Sequence, residues 1–501
     1  MMKAITRVFL FFLTLISCLS CKQPVKLNEV DLGNQEVSVS ISTHFSSLSL
    51  GLRSEASSRA QYIANDLRRI SFNGIRVVFY STDRDGTPKT VLKVFDKDIE
   101  YDKEGLRGAD VNESIVDGGS LSLTIKDIRV PEDNYSVLII CNPTEEFKSR
   151  TREGQAFEAL KEDFVQSPFD ENGRLLMKFF TNSEKLIKIS RDDLAGLQSH
   201  KVLRLRSEMK PNFAYASVFC NAPELPHGHT ISNERLVFFR DVSNKKFRLF
   251  PEYKSVSLSN GKSAQYPIDA NFLGMSGREE QQLRDNFAYA EDYVDKGIFF
   301  KSVTNVVEEK FQGFIIPENT MDGSDFHAKC VTRLILGVTY SPDPNIPIGQ
   351  DWLTVDGKNY SRTTFERLAT TIKGKSASSQ TFEEKNIIKA YDILKPYFEK
   401  KAKSIEEGYS DKSIQYYKKG VSYYAIPIRH FKDSEVSGKK QTGRYGVVRN
   451  TLYMINITKI SGPGHGDPLS FPLNMEYDGE EGTESKVTFS APNIIEYSVE
   501  L

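Results

Sequence analysis

Ile495, Tyr497, Val499 and Leu501 alternate with Glu496, Ser498 and Glu500. A period of two puts the four apolar side chains on one face of an extended segment, and no helix can do that. A half-buried strand is therefore expected to run to Leu501. Upstream, Val421 to Ile460 holds two further β-rich runs, VSYYAIPIRHF and RYGVVRNTLYMINITKI, separated by the polar stretch KDSEVSGKKQTG. Turn-forming residues between such runs predict a long hairpin. In the second run Tyr445, Val447, Leu452, Met454 and Ile460 mix with Val448, Tyr453, Ile455 and Ile457. Both faces are partly apolar, which places that strand inside a sandwich.

The order of these pieces resembles the Bacteroidetes fimbrillins, the type V pilus subunits, and within them the shaft type of the minor fimbrium. In that family a Tyr-Tyr strand precedes an Arg-Asn dipeptide, an aromatic strand and a Gly-rich turn. Here these are Tyr423-Tyr424, Arg449-Asn450, the strand after it and SGPGHG. Weaker islands resemble it too: YSVLIICNP at Tyr135 to Pro143, NGRLLMKFF around Met177, FQGFIIPEN from Phe311, and VTRLILGVTYSPD. Two departures stand out: Pro317 within FQGFIIPEN, and Pro492-Asn493 where the family often has Pro-Trp.

With 501 residues the chain exceeds one ordinary core, so two domains are expected. A formal charge of -1 argues against nucleic acid as a partner, because phosphate binding calls for a basic excess. Cys141, Cys220 and Cys330 are far apart, with neither CxxC nor Cys/His ligand spacing. Buried free thiols are expected of them rather than a metal or a disulfide framework.

The first seventeen residues carry Lys3 and Arg7 and then VFLFFLTLI, an apolar run of export-signal length. Leu15-Ile16-Ser17-Cys18 resembles a bacterial lipobox, which implies acylation at Cys18, with Cys21 as the alternative. No later run reaches about 18 apolar residues, so lipid would be the sole membrane tether.

Val37, Val39 and Ile41 alternate with Ser38, Ser40 and Ser42, predicting another strand with one apolar face. A Ser-rich stretch without helical period follows, the kind of segment where proteases cut. The resemblance implies that the strand is a removable prepilin segment, cut off by an arginine-specific surface protease. Arg59, in SSRAQ, best matches such a site and Arg53 is the alternative; Arg68-Arg69 sits among Ile63, Leu67 and Ile70. A strand removed from a sandwich leaves unpaired backbone beside an apolar groove, a template for another strand. By resemblance, the donor strand carrying Ile495, Tyr497, Val499 and Leu501 fills that groove on a neighbour, and a head-to-tail contact of this kind grows as a filament.

The expected fold is mostly β: two tandem β-sandwich domains, transthyretin-like and of Greek-key type, with a helical insertion in the second. Residues 1–17 are the signal, 18–59 the prepilin segment, 60–205 the first domain and 206–501 the second, with the insertion at about 361–420. Phe365, Leu368 and Ile372 form a helical stripe there, and Thr381 with Glu384 forms a capping box ahead of Ile387, Ile388, Tyr391 and Leu394. Pro396 is expected to kink or end that helix. In the first domain Phe157, Leu160 and Phe164 suggest a short amphipathic helix.

No GxSxG, HExxH or CxxC motif is present, and no enzyme activity, cofactor or metal is expected. His227-Gly-His229 lacks companion ligands, and GPGHG reads as a turn rather than a phosphate loop. Two functions remain. The first is a fimbrial shaft subunit contributing to adhesion, exported as an outer-membrane lipoprotein and then polymerised; its partners would be neighbouring and accessory fimbrial proteins, the protease, and host or bacterial surface ligands. The second is an accessory or tip adhesin, or a monomeric glycan-binding surface lipoprotein.

Overall fold

The computed structural model describes residues 36–45, 72–83, 85–102, 105–107, 111–116, 120–165, 179–195, 197, 202–220, 222–268, 280–292, 301–303, 313–320, 328–400, 406–431, 441–469, 471 and 493–500. Eleven strands build the first domain: β1 (Glu36–Phe45), β2 (Phe72–Thr82), β3 (Pro88–Asp102), β4 (Gly105–Arg107), β5 (Val111–Val116), β6 (Ser120–Pro131), β7 (Tyr135–Cys141), β8 (Phe164–Val165), β9 (Phe180–Thr181), β10 (Ile187–Ile189) and β11 (Val202–Pro211). Nine of them run β4-β3-β2-β7-β9-β11-β1-β6-β5, and β10 pairs with β7. Ile75, Val77 and Phe79 of β2 share one core with Val37, Val39 and Ile41 of β1 and with Leu123 and Ile125 of β6. Strands far apart in pairing order meet face to face, so the sheet closes over itself into a sandwich.

Every residue of β7 is buried, because the sheet is covered on its outer side as well. Val78, Tyr80, Leu138 and Ile140 pack there against Phe147, Phe157, Leu160 and Phe164. The expected helix over Phe157 to Phe164 is a single 3-10 turn, Phe157–Leu160, with Phe164 already in β8. A true helix, Glu145–Arg150, precedes it, capped by the Thr144 side chain. Of the family-like segment around Met177, residues 172–178 lie outside the described residues, while Phe179 and Phe180 at its end are buried.

Strand β11 runs through Leu205, where sequence placed the boundary, and β12 (Phe213–Phe219) begins after Asn212. Strand β11 pairs with β1 and β9. Next come β13 (Thr230–Asp241), β14 (Ser243–Asn244), β15 (Lys246–Phe247), β16 (Glu252–Ser257), β17 (Ser263–Ile268), β18 (Phe287–Ala288), β19 (Lys301–Val303), β20 (Gly313–Pro317), β21 (Asn319–Thr320) and β22 (Arg333–Ser341). Strands β23 (Trp352–Val355), β24 (Lys358–Ser361), β25 (Tyr409–Ser410), β26 (Ile414–Tyr417), β27 (Val421–Pro427), β28 (Gly446–Val447), β29 (Thr451–Lys459) and β30 (Asn493–Glu500) complete the order. The second sandwich sets β20-β12-β29-β30 against β19-β13-β22-β27. Ala216, Tyr453 and Ile455 of the first layer pack on Leu336, Val338 and Ile426 of the second.

The predicted hairpin between β27 and β29 does not form. Strand β27 pairs with β22 in one layer, and β29 pairs with β12 in the other. Only the base is hairpin-like: His430 and Phe431 donate backbone hydrogen bonds to Arg444 and Gly443 at 3.1 Å each. Beyond Val447 the chain crosses the core. Burial on both sides of each run is satisfied by two layers rather than by one ribbon.

The insertion is helical only in part. Helices Arg362–Lys373 and Phe382–Glu399 pack on a small sheet, β24-β23-β26-β25, through Phe365, Ile372, Ile387, Leu394 and Tyr416. Thr381 and Glu384 form the expected reciprocal cap. Pro396 sits inside the second helix, which continues to Glu399. Among the described residues no helix is long and apolar enough to cross a membrane.

Candidate assembly site

Strand β1 occupies the slot between β6 and β11. It runs antiparallel to β6, from Glu36 opposite Pro131 to Phe45 opposite Leu121, and parallel to β11, from Ser38 beside Val202 to Phe45 beside Met209. Its inward residues Val37, Val39, Ile41 and Thr43 are buried, Val39 and Ile41 completely. Burying three such aliphatic side chains contributes roughly 5–9 kcal/mol. The Thr43 hydroxyl donates to the Leu123 carbonyl at 3.0 Å, which satisfies the one polar group pointing inward.

The outward face of the slot has a different chemistry. Ser38 lies opposite Arg129, Ser40 beside Arg204 and Ser42 beside Arg206, while Ser42 Oγ meets Thr124 Oγ1 at 2.9 Å. A register shift in β6 sets Lys126 and Asp127 against Ser40. Without β1, strands β6 and β11 would face each other across an empty position with their backbone groups unpaired.

Strand β30 lies elsewhere, at the end of a sheet in the second domain. It pairs parallel to β29, Thr451 beside Asn493 through Lys459 beside Glu500, and among the described residues no strand pairs with its other edge. The strand expected to be removable and the strand expected to donate are thus not brought together within one chain. Cys18, Cys21, Arg53, Arg59 and Leu501 lie outside the described residues.

Arg449-Asn450 proves to be a packing device. The Arg449 guanidinium is buried, bonds Glu318 from Nε at 2.8 Å, and donates to the Arg248 and Leu249 carbonyls at 2.6 and 3.3 Å. Burial acts to lower its pKa and the Glu318 carboxylate more than offsets this, so it stays charged. Asn450 takes a left-handed conformation, φ 54°, and its N–H donates to the Phe213 carbonyl at 2.8 Å. The pair ties the start of β29 to the domain junction. The Gly-rich turn covers the free edge of β27: Tyr423 and His465 exchange backbone hydrogen bonds at 2.8 Å, and a Cβ at Gly464 would stand 2.1 Å from the Tyr423 carbonyl.

Cys141, Cys220 and Cys330 are buried free thiols, and burial pushes Cys220 up to about 12 and raises Cys141 as well, so neither is a nucleophile at neutral pH. His229 lies against the Tyr340 ring and bonds its hydroxyl. Among the described residues no group of three His, Cys, Asp or Glu could hold a metal ion.

Fold and site define a strand-built protein whose first described strand lies between two others with one face in the core. Residues 415–491 match the family model for the major fimbrial subunit protein type IV, fimbrillin, C-terminal. The chain is fimbrillin-like, a structural and non-enzymatic protein, and the match supports a role in a cell-surface fimbrium beside other fimbrial subunits. No curated protein matches it. A candidate cell adhesion protein of Parabacteroides distasonis ATCC 8503 is similar in structure, with 12% identity and a TM-score of 0.41, covering 93% of this chain and 99% of that one. Another from Bacteroides eggerthii DSM 20697 has 10% identity and a TM-score of 0.30, covering 78% and 96%. The fimbrial anchor protein Mfa2 of Porphyromonas gingivalis has 8% identity and a TM-score of 0.22, covering 67% and 85%.

Proposed function

We propose that the protein is a fimbrial subunit made as an outer-membrane lipoprotein, acylated at Cys18, or failing that at Cys21. A surface protease cuts it after Arg59, or at Arg53, and β1 leaves with the segment before the cut. The C-terminal strand of a neighbour then enters between β6 and β11, and repetition builds a shaft that contributes to adhesion to host or bacterial surfaces. The observation carrying this reading is the position of β1: an interior strand with a buried face, followed within the next 15 residues by both candidate arginines.

N-terminal sequencing of the mature surface protein tests it. A start at Ala60 is expected, together with SDS-resistant ladders when purified precursor is treated with an arginine-specific protease. Material that begins wholly at a lipidated Cys18 and stays monomeric after cleavage contradicts it. The docking of β30 on its own sheet favours a second reading, an accessory or tip subunit that accepts a strand without donating one. Immunogold labelling along the filament supports the shaft, and labelling confined to an end supports the tip.

A further inference from the structure

The slot around β1 has two faces, an apolar inner one and an outer one lined by arginines. We infer that its outer face is an electrostatic selector for a second copy of this chain, in which Arg129 and Arg206, with Arg204 between them, recognise Glu496 and Glu500 of the incoming strand. The inference rests on the strand-exchange reading above and adds what sets polarity, register and partner.

The register of β1 sets the pairing. Four inward positions of β1, Val37, Val39, Ile41 and Thr43, match four alternating apolar residues of the donor, Ile495, Tyr497, Val499 and Leu501. With the polarity of β1 retained and the four matched in order, Glu496 takes the place of Ser38, Ser498 that of Ser40, and Glu500 that of Ser42. Glu496 then lies directly opposite Arg129 on β6, and Glu500 lies beside Arg206 on β11 next to the Thr124 hydroxyl. Arg204 is diagonal to both. A register slip of two residues in either direction moves Glu496 or Glu500 out of this pairing and leaves one inward position unfilled.

The arginines are available for this. Arg129, Arg204 and Arg206 are exposed, and among the described residues none of them makes an ion pair. In the precursor they flank three uncharged serines, with Lys126 and Asp127 of β6 against the middle one and the exposed Glu208 two residues beyond Arg206. Two strand spacings separate β6 from β11, and Arg204 and Arg206 lie two and four residues further along than Arg129, so the backbone positions are about 12 and about 16 Å apart. Both distances exceed the Debye length of about 8 Å at physiological salt, so the repulsion between β6 and β11 arginines acts at low ionic strength, where the Debye length reaches about 30 Å. Replacing serines by glutamates between them turns a like-charge cluster into cross-strand pairs. The vacated slot therefore favours the donor over the strand it lost.

The test uses full-length precursor cleaved with an arginine-specific protease at low salt, reading the yield and rate of SDS-resistant ladders. Two opposite-charge cross-strand pairs lost and replaced by like charges should lower the assembly constant about tenfold or more in E496K/E500K, and likewise in R129E/R206E. Because each subunit both donates and accepts, the variant carrying all four changes should assemble like the parent, and added salt should slow the parent while speeding the two half-swapped proteins. Charge-reversed E496K/E500K assembling at the parental rate overturns the inference, as does a four-site swap that fails to restore assembly although its precursor unfolds at the parental temperature. An unsubstituted protein that yields no ladder overturns the strand-exchange reading itself, and the selector with it.

Discussion

Arg449 and Glu318 place a charge pair at the domain junction, where neither partner can return to water without the chain opening. The side chains are 8% and 11% exposed. Glu318→Gln should therefore cost about 3–5 kcal/mol in urea unfolding, because it strands a buried guanidinium, while the paired change Glu318→Leu with Arg449→Met should cost distinctly less. Equal losses would mean the pair is not electrostatically coupled. His430 offers a second residue-level check. Its ring is buried with Nδ1 3.0 Å from the Tyr453 hydroxyl, and burial lowers its pKa to about 3. The unfolded chain, with a His near 6.5, binds a proton that the folded chain refuses, so this group's contribution is complete above pH 6.5 and is lost as pH falls toward about 3. His430→Gln should flatten stability against pH in that window by up to about 1.4 kcal/mol per pH unit; an unchanged slope would show the ring protonating in the fold. Sequence reading marked Arg449-Asn450 as a pattern without a physical role. The role depends on Glu318, 131 residues away, and on carbonyls near residue 248, which no local window contains.

Among the elements, alternation made β1 legible, and every inward residue it named is buried. What alternation could not reveal is that β1 lies between two strands, since its parallel partner β11 comes over 150 residues later and reads as an ordinary strand. The β27–β29 hairpin failed for a related reason. Turn residues at 432–443 announce that the chain reverses, but not that it then changes layer, and a strand buried on both faces fits either arrangement. The insertion showed its helices through the cap and the stripes, while β23 to β26 are two- to four-residue strands too short to carry a period. A clean test belongs at this scale. Ile41→Ala should destabilise the uncleaved precursor by about 2–5 kcal/mol, the usual loss for an aliphatic core truncation. Fibres grown from the cleaved variant should match the parent in resistance to denaturant, because the altered strand is no longer present. Fibres weakened as much as the precursor would show that β1 stays in the assembled subunit.

For the whole molecule, the two sandwiches assign the two ends of the chain to different sheets. Among the described residues the first strand is held on both sides in one domain, and the last has a single partner in the other. On the proposed function, that asymmetry gives an assembly its direction: cleavage would empty a slot with two waiting edges, and the strand best able to leave its own sheet is the one with a single neighbour. The most direct measurement is ladder formation by cleaved protein that ends at Asn493. The account predicts monomers only, with β6 and β11 left unpaired. Full-length ladders from that truncated chain would contradict it.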